Sequence, residues 1–402
     1  MNTKTILIAG AGANQLGIFT KAQDLGLRIV AVDGDPEAPG LPLADIGIAA
    51  NICDSTELTT IAKKYSADGI YPAAELSVEA VAEAVQQLGL PGISPKVAER
   101  VRNKFEMRNA LRETGVPNPR YFGCTTLDQA KRAASELGYP FIIKPADANS
   151  SKGVLQVTSH EELEGGFIEA VQFSHTNMAL LEEFMEGTEF CVDGLVWDGQ
   201  YIPGGITGKA MSPLPYRFDL GIFMPPLESP ETCTVLDEFA ARALKAIGFN
   251  AGTTHLEIML TPDGPKIVEM AGRPGGGRIP TDLIPDTYGM DFMADSLRIA
   301  LGQPPCEQRQ FEKGVALYWI DAAPGRVARI DGLDEAKRLS GVKEVVMQAQ
   351  PNEILAPIVD CVTRDSVGYV YTEGETAQQA LDRAREACSL CKVVTEAVTE
   401  YQ

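Results

Sequence analysis

The first 95 residues alternate between short apolar runs and segments of helical periodicity, and this alternation constrains the fold more than any other feature of the chain. The pattern predicts strands at residues 5–9, 27–32, 46–50 and 69–72, and helices at residues 17–25, 58–65 and 78–88. Short strands that alternate with helices form a parallel, doubly wound sheet. We therefore expect a Rossmann-like N-terminal domain over residues 1–95.

A glycine-rich turn, Gly10-Ala-Gly12, follows the first predicted strand, with Gly17 further along. Such a turn at the start of a helix can bind an anion. Gly17 comes five residues after Gly12, whereas a dinucleotide-binding fingerprint has three. Asp33 lies about 20 residues on, where an acid that binds ribose is found. An NAD-dependent oxidoreductase is thus an alternative, although open α/β sheets also need glycine in such turns for packing.

The remainder of the chain alternates less regularly, which indicates an α+β arrangement. Before residue 300 the pattern predicts helices at 97–114, 127–137, 161–173 and 231–247, and strands at 141–144, 154–157, 179–184 and 190–197. After residue 314 it predicts strands at 341–346 and 367–371 and a helix at 377–391. The expected domains are residues 1–95, residues 96–305 with a lid subdomain at about 120–190, and a small α+β C-terminal domain at residues 306–402.

Charge and cysteine content exclude several classes of function. The chain has 55 acidic and 35 basic residues, a net charge of −20, so it repels phosphate backbones and nucleic acid is not an expected partner. No apolar run is long enough to span a membrane, and the first residues enter a strand directly, so we expect a cytoplasmic protein. The pair Cys388 and Cys391 lacks the second pair that a zinc site needs.

Two glutamates face each other in a predicted hairpin. A five-residue loop rich in turn formers pairs Leu260 with Lys266, and counting outward places Glu257 opposite Glu269. Like charges in that position destabilise a sheet unless a cation lies between them, and carboxylate oxygens suit Mg²⁺. The alternative is a different register, or one glutamate that is protonated or solvated.

Two arginines flank three glycines just after the second glutamate: Arg273 and Arg278 enclose Gly275, Gly276 and Gly277. Guanidinium groups and bare backbone suit an anion that develops negative charge beside a metal. A purely structural turn would need the glycines but not the arginines. We expect a catalytic arginine at 273, with the glycines and the second arginine against the substrate.

Two lysines and a small polar loop are candidates for binding phosphates. Lys144 ends an apolar strand, and the loop after it contains Ser150, Ser151 and Gly153. Such a loop can close over phosphates through its backbone N–H and hydroxyl groups. Lys104 lies on the preceding predicted helix. A single lysine at either place is more often a solvated surface residue, and the GxxxxGK[ST] order of a P-loop is missing.

A second apolar strand ends in two acidic residues, Glu182 and Glu183, followed by Phe184 and Met185. This segment offers backbone donor and acceptor groups to a planar base. Glu189, after the next turn, then lies where a carboxylate can accept hydrogen bonds from two ribose hydroxyls. The alternative is that the acidic pair are plain charges at a strand edge.

Taken in order along roughly residues 1–300, these pieces resemble the ATP-grasp superfamily. The first domain is similar to the domain that precedes the ATP-grasp domain in that family. The resemblance implies ATP-binding roles for ten residues: Lys104 and Lys144 at phosphates, Ser150, Ser151 and Gly153 in the lid, Glu182, Glu183, Phe184 and Met185 around adenine, and Glu189 at ribose. It also implies that Glu257 and Glu269 bind Mg²⁺ and that Arg273 steadies an acyl phosphate.

One position departs from the common Glu-x-Asn-x-Arg pattern, because Ala271 stands between Glu269 and Arg273. This variant, like the last hundred or so residues, resembles the bacterial L-amino acid ligases. The resemblance implies an enzyme that uses ATP and Mg²⁺ to activate a small carboxylate as an acyl phosphate and join it to an amine, releasing ADP and phosphate. It allows a homodimer. Alternatives are another ATP-grasp ligase or carboxylase that uses bicarbonate or a nucleotide precursor, and a nucleotide-binding regulator without activity.

Histidine supplies no obvious nucleophile. His160 and His175 are expected at the surface. His255 precedes Glu257 by two residues on the same strand face, so it either supports that carboxylate or packs within the strand. No histidine occurs in the segment 209–227, which the resemblance places beside the acceptor amine.

Overall fold

The computed structural model describes residues 3–149, 151–214, 216–306 and 309–398. The strands, in chain order, are β1 (Thr5–Ala9), β2 (Arg28–Asp33), β3 (Ile46–Ala49), β4 (Gly69–Pro72), β5 (Tyr121–Cys124), β6 (Phe141–Pro145), β7 (Leu155–Val157), β8 (Ala179–Glu183), β9 (Thr188–Trp197), β10 (Gln200–Met211), β11 (Asp219–Met224), β12 (Gly252–Thr261), β13 (Gly264–Ala271), β14 (Gly314–Trp319), β15 (Gly325–Asp331), β16 (Val342–Met347), β17 (Ile354–Leu355), β18 (Gly368–Gly374) and β19 (Lys392–Glu396).

The helices, in chain order, are α1 (Leu16–Asp24), α2 (Ser55–Tyr65), α3 (Val78–Leu88), α4 (Pro95–Arg102), α5 (Lys104–Glu113), α6 (Leu127–Leu137), α7 (His160–Gln172), α8 (Pro230–Ile247), α9 (Ile284–Tyr288), α10 (Phe292–Ala300), α11 (Leu333–Lys337), α12 (Cys361–Asp365) and α13 (Ala377–Leu390). Short 3-10 helices cover Ala13–Gln15, Leu41–Leu43 and Glu75–Ser77, and a π-helical turn covers Ile279–Leu283. Within the described ranges, no helix has the length and apolar character that a membrane crossing requires.

The chain divides into two compact units, each built from three stretches of sequence. The first unit comprises residues 1–118, 191–205 and 230–311, and the second comprises residues 119–190, 206–229 and 312–402. β9 and β10 each start in one unit and end in the other. The domain boundaries near residues 95 and 305 stay a prediction.

The first unit opens with the parallel sheet expected from the sequence, in the order β3-β2-β1-β4. β1 is buried along its whole length, as a central strand covered on both faces should be. α2 begins where the Asp54 side chain accepts hydrogen bonds from the backbone N–H groups of Thr56 and Glu57, a helix cap that satisfies two otherwise unpaired donors. The Rossmann-like N-terminal region is confirmed.

The glycine-rich turn after β1 has a packing role. Gly10 has φ +109°, and a Cβ atom there would lie 2.6 Å from the Cβ of Ala74. Asp33 accepts hydrogen bonds from the backbone N–H groups of Ala11 at 2.6 Å and Asp35 at 2.9 Å. Close packing and turn closure therefore explain the glycine and the acid, and the turn gives the dinucleotide alternative no support.

The helix predicted at residues 97–114 is wrong, because α4 and α5 are separate helices that meet at Asn103. Asn103 has an extended backbone (φ −109°, ψ 110°), and its side chain accepts hydrogen bonds from the backbone N–H groups of Phe105 and Glu106. Asparagine competes with the helix backbone in this way and so starts a new helix. Lys104 consequently occupies the first turn of α5.

The rest of the first unit includes an antiparallel sheet in the order β13-β12-β9. β9 is buried from residue 191 to residue 196, while β12 and β13 alternate more between buried and half-buried positions. α8 adds a buried apolar face formed by Leu236, Phe239, Ala240, Ala243, Leu244 and Ile247.

The second unit contains an antiparallel sheet in the order β5-β8-β6-β7, covered by α6 and α7. α6 begins with a capping box, in which the side chains and backbones of Thr126 and Gln129 bond reciprocally. The second unit also includes the run of paired strands β10-β11-β14-β18-β16, and β17-β15-β19 form a separate three-stranded antiparallel sheet. β16, β18 and α13 confirm the elements predicted for the C-terminal region, so the expected α/β and α+β class is confirmed.

Sequence patterning missed β10 because glycine interrupts its apolar alternation. In the first unit, a Cβ atom at Gly204 would lie 2.6 Å from the ring of Phe292. In the second unit, a Cβ atom at Gly208 would collide with the ring of Phe223 on β11. These glycines are places where an aromatic ring lies against the strand, and they mark close packing instead of a turn.

Candidate active site

The predicted pairing of Glu257 with Glu269 is confirmed, although the loop that led to it is wrong. β12 and β13 are joined by a two-residue turn, with Thr261 paired to Gly264. Lys266 pairs with Met259 and not with Leu260. A bulge next to the glutamates then shifts the register by one residue and restores the pairing of the two carboxylates. Directly paired residues of an antiparallel ladder project from one face of the sheet.

Lys104 brings a positive charge to this carboxylate pair. Its Nζ lies 3.2 Å from Oε1 of Glu269, and only 6% of the residue is exposed. The first turn of α5 therefore delivers a nearly buried ammonium to the glutamate on β13. The alternative of a solvated surface lysine at this position is wrong, because Lys104 is nearly buried just after the break at Asn103.

Arg273 is held by a carboxylate that the sequence interpretation did not single out. Its guanidinium forms an ion pair with Glu75, which also pairs with Arg102 at 2.7 Å. Burial alone would raise the pKa of Glu75, but Arg273 and Arg102 outweigh burial and lower this pKa to about 2. Glu75 therefore stays ionised and fixes the arginine that follows β13.

His255 lies in a second polar cluster on the same sheet. Its Nδ1 is 2.9 Å from Oδ1 of Asp193, which is fully buried on β9. Burial disfavours the charged imidazole, yet Asp193 and Cys191 raise the pKa of His255 well above its usual range. A Cβ atom at Gly275 would lie 2.6 Å from Nδ1 of His255 and 2.8 Å from Oδ1 of Asp193. Glycine is needed there because the backbone passes directly over the pair.

The remaining residues of the arginine-glycine segment are less constrained. A Cβ atom at Gly276 would meet no atom within 4 Å, while Gly277 has φ +61°. Arg278 forms two hydrogen bonds with Asp282, from Nε at 3.0 Å and from Nη2 at 2.6 Å. The guanidinium of Arg278 is thus directed at a carboxylate one helical turn away.

The second unit carries a buried ion pair between neighbouring strands. Nζ of Lys144 on β6 lies 2.7 Å from Oε2 of Glu182 on β8. The residues are only 4% and 2% exposed, so neither the solvated lysine nor the plain edge charge that the sequence allowed is correct. A buried charge of this kind is stable only with its partner. Glu183, in contrast, pairs with the exposed Arg120 at 3.1 Å.

The segment after β8 is half-buried at Phe184 and Met185 and leads into β9. Glu189 on β9 pairs with Lys209 at 2.6 Å and with Arg217 at 3.6 Å. Lys209 also lies 3.1 Å from Asp219, and its side chain is only 3% exposed. Glu189 is therefore part of a charged network.

The loop after β6 is anchored at its start. Asp147 accepts hydrogen bonds from the Ser174 hydroxyl at 2.7 Å and from the backbone N–H of Thr176 at 2.9 Å. Ser151 and Gly153 have φ +60° and φ +66°, so the chain between them follows a tight turn. Ser150 lies outside the described residues.

The sequence interpretation missed several residues that contact the predicted ones. They are Glu75, Cys191, Asp193, Lys209, Arg217 and Asp219. Glu75 follows β4 closely, and the carboxyl end of a parallel strand is where ligand-binding residues collect, so this position carried a usable signal. Cys191 and Asp193 are spaced by two along β9, which places both on one face of the strand. No sequence pattern of this kind marks Lys209, Arg217 or Asp219, which lie on or near β10. His160 and His175 are exposed, as expected.

The donor set of the first unit fits a hard divalent cation. Glu257 and Glu269 offer carboxylate oxygens from facing positions, and Mg²⁺ prefers oxygen ligands. Lys104 and Arg273 add fixed positive charge on the side of Glu269, and the pKa of Arg273 is raised by Glu75 and Glu269 against the effect of burial. Such an arrangement can neutralise phosphate oxygens during group transfer.

Residues 137–282 match the family model described as the ATP-grasp domain. This part of the chain is an ATP-grasp domain. Residues 318–396 match a second model, described as L-amino acid ligase C-terminal domain 2. The matched ranges contain most residues that the sequence resemblance singled out, with Lys104 ahead of them.

Three relatives illustrate what this chain is similar to. The alanine–anticapsin ligase of Bacillus subtilis is 30% identical over 59% of this chain and 54% of the relative. The formate-dependent phosphoribosylglycinamide formyltransferase of Ignicoccus hospitalis is 24% identical over 98% of this chain and 97% of the relative. The crystal structure of L-amino acid ligase from Bacillus licheniformis has a TM-score of 0.84 at 23% identity, covers 98% of this chain and 99% of that one, and shows the fold alone.

The ATP-grasp assignment confirms the predicted enzyme class. The protein is an ATP-dependent carboxylate–amine ligase, and its cofactors are ATP and Mg²⁺. The individual roles of the site residues stay predictions.

Proposed function

We propose that this ligase joins two amino acids through an amide bond. The observation that carries the proposal is the match of residues 318–396 to the L-amino acid ligase C-terminal domain. The similarity to alanine–anticapsin ligase agrees with it, since that name describes a ligase for alanine. The sequence variant at Ala271, between Glu269 and Arg273, points to the same branch.

In the first unit, Glu257 and Glu269 would hold Mg²⁺, which supplies charge neutralisation at the β- and γ-phosphates. Lys104 adds a fixed positive charge beside Glu269, where its Nζ already lies at 3.2 Å. Because Ala271 provides no side-chain oxygen, Glu269 would be the main protein ligand for Mg²⁺ on β13. Positioning and neutralisation are the main tasks of a phosphoryl-transfer site, and these residues perform both.

Arg273 is the proposed catalytic residue. A carboxylate oxygen of the first substrate attacks the γ-phosphorus, ADP leaves, and an acyl phosphate forms. The amine nitrogen then attacks the acyl carbon, the bond from that carbon to the phosphate oxygen breaks, and the leaving phosphate takes up the proton that the nitrogen loses. Arg273, oriented by Glu75, stabilises the oxyanion together with the backbone at Gly275, Gly276 and Gly277. Arg278 is proposed to contact the substrate at the end of that segment.

In the second unit, the charged residues proposed to bind the nucleotide are held by ion pairs. Lys144 is held by Glu182 and is proposed to contact a phosphate. Glu183, Phe184 and Met185 are proposed to border adenine, with Glu182 at the strand end. Glu189 is proposed to accept hydrogen bonds from ribose hydroxyls while Lys209 fixes its orientation.

The loop containing Ser150, Ser151 and Gly153 is proposed to close over the phosphates. Closure would keep water away from the acyl phosphate, which otherwise hydrolyses. Positive φ at Ser151 and Gly153 turns backbone N–H groups within a short stretch, which suits an anion.

The test is a screen of amino-acid pairs for phosphate release with ATP and Mg²⁺, followed by mass spectrometry of the products. A product with the summed mass of two amino acids less one water is expected. In Glu269→Gln the release of ADP should fall by about 10²-fold or more, while Glu238→Gln, an exposed change on α8, should leave it unchanged. Unchanged turnover in Glu269→Gln would remove the proposed metal site.

A second candidate is a ligase or carboxylase that acts on formate, bicarbonate or a nucleotide precursor. The full-length similarity to a formate-dependent phosphoribosylglycinamide formyltransferase favours it. The same ADP assay, run with formate or bicarbonate and with amine-bearing ribonucleotides, separates the candidates. ADP formation that requires one of these compounds and no pair of amino acids would select this second function.

Two further properties are proposals of their own. The resemblance allows a homodimer, and sedimentation velocity of the purified chain would show one species at twice the monomer mass.

All eight cysteines are free thiols, which suits the reducing cytoplasm. Cell fractionation tests that location.

A further inference from the structure

Cys191, His255 and Glu257 form a cluster that includes a thiol and an imidazole, two groups that Mg²⁺ binding does not require. One ligand atom from each of these side chains lies within 4.8 Å of the others. Cys191 and His255 come from β9 and β12, which are neighbours in the first unit, and Glu257 is two residues beyond His255 on β12. Thiolate, imidazole and carboxylate together are typical ligands of Zn²⁺ and similar borderline-soft cations.

The distances are compatible with coordination after small side-chain rotations. Around a tetrahedral zinc ion, bond lengths of about 2.0 to 2.3 Å place neighbouring ligand atoms roughly 3.5 Å apart. The observed limit of 4.8 Å requires each pair to close by at most about 1.3 Å. His255 and Glu257 are half-buried, while Cys191 is 3% exposed, so the cluster is reachable from one side and shielded on the other.

Asp193 gives His255 the support that metal-binding histidines normally have. Such a histidine almost always donates its second ring N–H to a carboxylate or carbonyl, which fixes the tautomer. Oδ1 of Asp193 lies 2.9 Å from Nδ1 of His255, so Nε2 is the nitrogen left for a cation. Asp193 is 0% exposed, and its Oδ2 has no hydrogen-bond partner among the described residues. A buried carboxylate in this state adds negative potential beside the cluster.

We propose that Cys191, His255 and Glu257 form a site for a divalent cation of the Zn²⁺ class, with Asp193 as the positioning residue. The cation binds with release of two protons, one from the Cys191 thiol and one from Nε2 of the charged His255 imidazole. Because Glu257 is also a proposed Mg²⁺ ligand, occupancy of this site opposes Mg²⁺ binding and inhibits the ligase. That second step rests on the proposed function, whereas the existence of the site does not.

The direct test uses Co²⁺, a spectroscopic substitute for Zn²⁺, with the full-length protein and no ATP or Mg²⁺. A thiolate-to-cobalt charge-transfer absorption that saturates at one equivalent is expected. Cys191→Ser should abolish the absorption, and Asp193→Asn should weaken Co²⁺ binding by about 10- to 100-fold. The matched control is Cys388→Ser combined with Cys391→Ser, which removes the other closely spaced thiols and should retain the absorption.

Several outcomes would overturn the site. These are the absence of the absorption in the unmodified protein, its persistence in folded Cys191→Ser, and its loss in the control. If Cys191→Ser does not fold, as judged by thermal unfolding, His255→Gln takes its place, since it removes the nitrogen ligand on the other strand. Retained absorption in His255→Gln with unchanged affinity would equally contradict the proposal.

The inhibitory step is tested separately in the ADP assay. Zn²⁺ should inhibit the unmodified enzyme, and added Mg²⁺ should raise the half-inhibiting Zn²⁺ concentration. In Cys191→Ser that concentration should rise by about tenfold or more. Equal Zn²⁺ sensitivity in the two proteins would refute the inhibition while leaving the Co²⁺ result standing. An inactive enzyme with a normal Co²⁺ spectrum would instead refute the proposed function alone.

Discussion

Nζ of Lys104 lies 3.2 Å from Oε1 of Glu269, so an ion pair joins the first turn of α5 to β13, the second strand of the hairpin formed by β12 and β13. The pair places a compensating positive charge beside the two facing glutamates. Lys104 neutralises part of their charge, and the first turn of α5 is fixed by the Asn103 cap. A cation that binds both carboxylates would then share Glu269 with this lysine.

Lys104→Met should weaken the use of MgATP. A hydrogen bond to a charged group contributes about 1.5 to 3 kcal/mol, so kcat/KM for MgATP should fall by roughly 10- to 100-fold. Steady-state kinetics at varied MgATP measures the effect. Lys96→Met removes an exposed lysine that pairs with Glu99 and should change kcat/KM less than about twofold. Equal kinetics for the two variants would show that Lys104 has no role at the phosphates.

Glu75→Gln should destabilise the protein in a pH-dependent manner. The pKa of Glu75 is lowered from 4.5 to about 2 by Arg273 and Arg102 despite burial. A lowered carboxyl pKa stabilises the fold above pH 4.5, and this stabilisation is lost as the pH falls towards 2. At pH 7 the variant should lose on the order of 3 kcal/mol in free energy of unfolding.

Urea unfolding at several pH values measures this difference. The gap between the unmodified protein and Glu75→Gln should narrow as the pH falls from about 4.5 towards 2, because Glu75 then takes up a proton in the unfolded chain while it stays ionised in the folded protein. Glu79→Gln, an exposed change on α3, should show no such pH dependence. A gap that stays constant down to pH 3 would mean that Arg273 and Arg102 do not hold Glu75 ionised.

The parallel sheet and the facing glutamates could be predicted because they depend on local patterns. Apolar runs between helices mark β1 to β4 in the sequence. The pairing of Glu257 with Glu269 follows from counting residues outward from the loop of one hairpin. This predicted pairing is correct only because a bulge compensates for a turn that is shorter than the predicted five-residue loop. Nothing in the sequence revealed that bulge.

The partners of the predicted residues could not be found in this way. Glu75 and Arg273 are 198 residues apart, and only the fold brings them together. β10 was missed because its glycines are explained by Phe292 and Phe223, which are distant in sequence. Burial of Lys104 and Lys144 likewise depends on tertiary packing that overrides the usual preference of lysine for solvent.

Lys209→Met should destabilise the second unit more than a typical surface change. Its ammonium lies 2.6 Å from Glu189 and 3.1 Å from Asp219, so its removal leaves two carboxylates with less compensation. Breaking a buried pair from one side costs on the order of 3 kcal/mol. Thermal unfolding should show the loss, and Lys131→Met on the exposed face of α6 should stay within about 0.5 kcal/mol.

The double variant Lys209→Met, Glu189→Gln isolates the electrostatic part of this loss. Removing one carboxylate together with the lysine should recover part of the stability, since fewer uncompensated charges remain. If the two residues act independently, the losses of stability in Lys209→Met and in Glu189→Gln will simply add in the double variant. That result would contradict the prediction.

Gly275→Ala should disturb the site, while Gly276→Ala should not disturb the packing around it. A Cβ atom at Gly275 would lie 2.6 Å from Nδ1 of His255 and 2.8 Å from Oδ1 of Asp193, whereas one at Gly276 would meet nothing within 4 Å. Overpacking of this kind costs about 1 to 3 kcal/mol, because either the backbone or the His255–Asp193 pair must shift. Thermal unfolding and ADP release measured on both variants should show losses for Gly275→Ala, and unchanged or slightly raised stability for Gly276→Ala. Equal stability of the two variants would mean that the backbone at residue 275 does not lie against His255.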